Sequence, residues 1–208
     1  AVTGLKPSYV YPDYLSYENN AKTVFNSGNQ YRRFNTSNLN NRPEQTKTVE
    51  MSKDYYVVTL YNDQKRNLYA YVDDEDLYGE KVIYLERDDM AAATEADYVM
   101  VEFFLDWYPV LTDQDMYIMG AITDWNFDEK NKMTYDFERK GYAISLLLKQ
   151  GYYDYIYAVK ERGQTTANVG LVAGDFWETK NEYTIYLYLF DPTQNYDQLI
   201  GVKTVLSH

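Results

Sequence analysis

Acidic residues come in close pairs along this 208-residue chain: Asp73 and Asp74, Glu75 and Asp76, Asp88 and Asp89, Asp113 and Asp115. Two carboxylates hydrolyse a glycoside when they face each other across a cleft at a defined separation, and closely spaced acidic residues can ligate calcium through oxygen. The pairs here fall in stretches read as turns, where solvated carboxylates are the ordinary outcome. None matches the Asp-x-Asp-x-Asp-Gly calcium loop. The sole histidine is His208, the final residue, and cysteine is absent, which removes histidine-based triads, histidine metal sites and thiol chemistry. Neither a glycine-rich phosphate loop nor a G-x-S-x-G elbow occurs. The expectation is a non-enzymatic protein with no catalytic residue, no metal, no cofactor and no small-molecule substrate.

Trp125, in the stretch YIMGAITDWNF from Tyr117 to Phe127, raises a different possibility: an aromatic platform for a sugar ring. The chain is rich in rings that carry a hydroxyl, with 25 Tyr against 8 Phe, and such rings suit half-wet sheet faces and interfaces. Lys plus Arg total 20 against 32 Asp plus Glu, a net charge of -12, so nucleic acid and anionic membrane surfaces are unfavourable partners. No run approaches the roughly 18 apolar residues of a membrane-spanning helix, so no membrane insertion is expected. The triplet Asn35-Thr36-Ser37 fits a glycosylation pattern and is read as a turn. The chain opens AVTGLKPSYV without an initiator methionine, as expected of a processed product, an excised piece or the ordered part of a longer protein.

Strands have to position these residues, because period-two alternation dominates. In YVMVEFFL, Val99, Val101, Phe103 and Leu105 share one face and Glu102 marks the other. GYAISLLL sets Tyr142, Ile144, Leu146 and Leu148 against Ala143, Ser145 and Leu147. YTIYLYLF alternates Ile185, Leu187 and Leu189 with Tyr186, Tyr188 and Phe190, so both of its faces are apolar. Upstream, DYYVVTLYND and LYAYVDDEDLYGEKVIYLE read as three strands, with further strands expected at LKPSYVY, YENNAKTVF and QYRRFN. NTSNLNNRPEQ reads as a loop. The fold class expected is all-β, two antiparallel immunoglobulin-like β-sandwich domains. The boundary is placed within Arg87 to Tyr98, near residue 92: a sandwich over 1–92, incomplete at its N-terminus, and a second over 93–208.

The segment from Met116 to Val159 is similar to the glycogen-binding domain of AMP-activated kinase and of starch-branching enzymes. The likeness is carried by Gly120, Trp125, Met133-Thr134, Tyr142 to Leu148, Gly151 and Tyr153-Asp154-Tyr155-Ile156-Tyr157. It implies an early-set immunoglobulin-like sandwich. The sugar-contacting Lys of that family is replaced by Ile156, and its second Trp has no counterpart in KERGQTTANVG. Trp125 is then expected to pack over the sandwich edge.

The tail resembles the C-terminal part of the type IX secretion system plug protein family. The matching positions are Phe176, Glu178, Thr179, Lys180, Asn181, Glu182 and Tyr183, then Tyr196, Asp197, Leu199, Ile200 and Gly201, with TEADYVMVEFFL and Phe25 to Leu39 in support. The resemblance implies a non-enzymatic subunit on the periplasmic side of an outer-membrane translocon, whose partner is a very large outer-membrane β-barrel and which closes the pore when no substrate occupies it. Irregular segments can enter a lumen without breaking a sandwich, so the partner contacts are expected in three loops. One is Asp124, Trp125, Asn126 and Phe127 with the turn that follows to Asn131; another is Asp73, Asp74, Glu75 and Asp76; the third is Asn35 to Gln45. A carbohydrate-binding module or a cell-envelope scaffold is the alternative.

Overall fold

The computed structural model describes residues 2–18, 23–40, 43, 45–74, 76–86 and 96–207. Glu75, the Asp88–Asp89 pair, the expected boundary near residue 92 and His208 lie outside the described residues.

The protein is all-β. Strands β1 (Tyr9–Val10) and β2 (Leu15–Ser16) form a small hairpin. Then come β3 (Arg32–Asn35), β4 (Thr46–Met51), β5 (Tyr56–Leu60), β6 (Lys81–Ile83), β7 (Tyr98–Asp106) and β8 (Gln114–Met119). The rest are β9 (Thr134–Asp136), β10 (Gly141–Lys149), β11 (Gly151–Glu161), β12 (Glu182–Asp191) and β13 (Tyr196–Leu206). One sheet runs β4-β5-β7-β10-β9; a second runs β3-β11-β6, with β8 also paired to β11.

The alternation in β7 sets the inner face of the first sheet. Val99, Val101, Phe103 and Leu105 are all buried, while Glu102 points the other way and accepts a hydrogen bond from Thr59 Oγ1 at 2.9 Å. On β11, Tyr153, Tyr155 and Tyr157 face the same core. Phe34 of β3 stacks on Tyr153 with ring centroids 5.1 Å apart and meets Phe103 edge-on at 5.3 Å. Such contacts add to the area that the rings bury.

This core corrects the expected division near residue 92. Strand β5 pairs directly with β7, in register Tyr56↔Val99 to Thr59↔Glu102, and that pairing is parallel rather than antiparallel. On the other sheet, β3 and β6 both pair with β11. Phe34, Val58 and Leu60 from the first half share one cluster with Val101, Phe103 and Tyr157 from the second. The physical reason is that the first half cannot cover its own apolar strand faces. Its strands borrow β7 and β11 as neighbours.

Two further expectations shift. LYAYV forms no strand, whereas TKTVEM forms β4, paired along β5. Ile156, at the position of the sugar-contacting Lys in the glycogen-binding family, is buried at 5% exposure. Among the described residues, strands β12 and β13, by contrast, pair only with each other and contribute nothing to the sandwich core.

Candidate functional site

The loop from Gln64 to Glu80 crosses between the sheets and depends on Asp154. That carboxylate is fully buried, and its Oδ2 accepts the backbone N–H groups of Leu77 and Gly79. Burial pushes the Asp154 carboxyl up to about 6, against the opposing pull of those two hydrogen bonds. Gly79 sits at φ +83, and a Cβ there would lie 2.4 Å from the Trp125 ring. Only glycine admits both the left-handed backbone and that approach.

Trp125 therefore packs. Its ring lies against Gly79 and meets Tyr31 edge-on at 5.8 Å, and the residue remains 41% exposed. Both Asp124 and Trp125 adopt left-handed backbone, with φ 49 and 58, which turns the chain sharply after the 3-10 turn Ala121–Thr123. Lys81 donates from Nζ to Ala121 O at 2.7 Å and lies 3.6 Å from the Asp124 carboxylate. Asn131 is buried and closes the turn, with Nδ2 donating to the carbonyls of Ile118 and Asn126. The Phe127 ring packs edge-on against Tyr117 at 5.3 Å.

The second expected loop lies beside the first, joined to it through Tyr31. Asp76 Oδ2 accepts the Tyr31 N–H at 2.7 Å, and its Oδ1 accepts the Tyr78 N–H at 3.0 Å. Burial, and then the charges of Asp76 and Asp154, push the Tyr31 phenol up to about 12. Asp74 pairs with Arg33 at 3.2 Å. Asp73 takes Lys180 Nζ at 2.7 Å and Gln30 Nε2 at 3.1 Å. The hydrogen bond from Lys180 holds its carboxyl below the usual carboxylate range.

These contacts leave an open groove of about 310 Å³, lined by Gln30, Tyr31, Asp73, Asp76, Lys180 and Asn181 among others. The tail motif builds its second wall. Thr179 is buried and donates from Oγ1 to Gly28 O at 3.0 Å; Asn181 Nδ2 donates to Ser27 O at 2.8 Å; Phe176 N–H donates to Gly28 O at 2.8 Å. Thr179, Asn181 and Phe176 thus clasp the chain at Ser27–Gly28. The side chain of Asn181 serves that clasp.

The third loop is held elsewhere, at the start of β11. The Thr36 hydroxyl accepts the Gly151 N–H at 3.1 Å, and Ser37 N–H donates to Asn35 Oδ1 at 2.8 Å. Thr36 and Ser37 are both buried. The structure therefore brings two of the three expected loops together and leaves the third apart. Sequence reasoning set Gln30 and Tyr31 in the expected strand QYRRFN without singling them out as site residues.

Among the described residues, no group of three acidic, histidine or cysteine side chains is arranged to hold a metal. Asp115 is paired with Lys132 at 3.2 Å and Arg162 at 3.6 Å. The groove offers carboxylates, amides and a tethered ammonium on a shallow surface. That ammonium, Lys180, is held by the Asp73 carboxylate at 2.7 Å.

No protein-family model matches the chain, and no curated protein matches it. Among solved structures, it is similar to the crystal structure of a hypothetical protein from Parabacteroides merdae, at 36% sequence identity and a TM-score of 0.92. The match covers 99% of this chain and 51% of that one. The chain thus spans about half the length of that protein.

Proposed function

We propose that this chain is a non-enzymatic plug subunit, which closes the periplasmic side of the type IX protein-secretion pore in the outer membrane when no substrate occupies it. The observation that carries the reading is the tail motif. Thr179, Lys180 and Asn181, which bear the family resemblance, are the residues that wall the groove and tie it to Asp73 and Ser27. A plug needs a stiff body and contacts weak enough to be displaced. The shared aromatic core supplies the first, and the acidic loops at Asp73–Asp76 and Asp124–Phe127 supply the second. A glucan-binding role would rest on Trp125, whose ring is already engaged by Gly79 and Tyr31.

Exposed ion pairs contribute up to about 1 kcal/mol each. The combined variant Asp73→Asn, Asp74→Asn, Asp124→Asn is therefore expected to weaken co-purification with the large outer-membrane barrel by about tenfold to a hundredfold. Raising salt toward 1 M, where the screening length falls to about 3 Å, should weaken the parent complex in the same direction. Full retention by the variant at both salt concentrations, with loss only on changing Tyr186 or Tyr188, would assign the contact to the aromatic strands instead.

A further inference from the structure

Strands β12 and β13 are 10 and 11 residues long and form a ribbon with no third strand beside it among the described residues. Every residue from Ile185 to Phe190 is apolar or aromatic and exposed, and Leu199, Ile200, Val202, Val205 and Leu206 on β13 are exposed as well. Because neighbouring residues point to opposite faces, both faces of β12 are apolar from Ile185 to Phe190, while β13 sets Asp197, Gln198 and Lys203 among its apolar residues. Between Tyr183 and Phe190 there is no charge at all. A lone two-stranded hairpin is marginal in water, and long apolar edges invite pairing.

The two-sided pattern decides what kind of surface covers it. A ribbon lying on a partner hides one face; strands buried on both faces belong inside a layered domain. A second copy that added its own ribbon edge to edge would satisfy the edges and leave both faces wet. Strand β12, from Ile185 to Phe190, instead has the composition of a strand lifted from the core of another sandwich.

The N-terminal hairpin repeats this signature, with Tyr9, Val10, Tyr14 and Leu15 exposed. The chain that follows that hairpin reaches the root of the ribbon: the Phe25 ring lies 5.3 Å from that of Tyr183, and Ser27 is bonded by Asn181. The Parabacteroides chain matches over the ribbon as well as the sandwich and has about as much chain again outside the match. We propose that β12–β13 is the strand pair of a second β-domain, whose other strands come from the same polypeptide, in the length that the Parabacteroides chain has and these 208 residues do not span. This goes beyond the plug reading and does not depend on it.

Hydrogen exchange on the full gene product and on the 208-residue chain tests the assignment. Amides of Ile185–Phe190 are expected to exchange about a hundredfold more slowly in the full product. The substitution Tyr188→Asp should abolish that protection while leaving the exchange of β7 and β11 unchanged. Equal exchange of the ribbon in both proteins would overturn the proposal. So would protection in the 208-residue chain that disappears on dilution, which would make a second copy the occupant, or protection that arises only when the barrel is added.

Discussion

Replacing Asp63 with Ala is expected to cost about 2–3 kcal/mol of folding stability, below the ~3–5 kcal/mol seen for a fully buried charge pair, because the Arg32 and Asp63 side chains remain 11% and 17% exposed. Asp63 follows β5 and is held against β7 by backbone bonds to Phe104 and Asp106. Its carboxylate accepts hydrogen bonds from Arg32 Nη1, Tyr155 OH and Tyr157 OH, each at 2.7 Å. Burial, followed by the charge of Asp63, pushes both tyrosine phenols well above their ordinary value, so the hydroxyls stay protonated donors. Alanine would strand those donors together with the Arg32 guanidinium, whose side chain is 11% exposed. Arg66 beside it is already lowered to about 10, first by burial and then by Arg32; removing the anion leaves two neighbouring cations without it. Asp63→Asn keeps one acceptor and should fall between. Denaturant midpoints measure the cost, and a loss under about 1 kcal/mol would mean that water replaces the carboxylate.

Phe34→Ala should destabilise the protein by about 3–5 kcal/mol, as buried aromatic truncations do. The side chain is fully buried between Phe103, Tyr153 and Tyr155. Because Phe34 comes from the first half and those rings from the second, unfolding should remain one transition that moves as a whole. Calorimetry showing two transitions, one of them unmoved, would restore the division near residue 92.

The inner faces of the central strands were legible in the sequence. The alternation of Val99, Val101, Phe103 and Leu105 follows from the pleat alone and holds in the structure. Strand neighbours were not legible, because alternation tells which face is wet and says nothing of which strand lies alongside. Hence β5 could not be assigned to β7, and β4, with Lys47 and Glu50 among its residues, was assigned no strand. Tyr186 and Tyr188 had the right pattern for a sheet face, yet the face belongs to no core among the described residues. At the site, the turns at Asp73–Asp76 and Asp124–Phe127 were visible through their residue types. Their adjacency was not: it depends on Tyr31, on Gly79 beneath Trp125, and on Lys180 reaching Asp73 across 107 positions of sequence.

Envelope permeability tests the plug account most directly. Cells that lack this gene but retain the barrel and export no substrate should stay viable and become sensitive to large antibiotics that the intact outer membrane excludes. Re-expression of the intact protein should restore exclusion. Unchanged permeability in those cells, with the barrel present and its pore empty, would contradict the account.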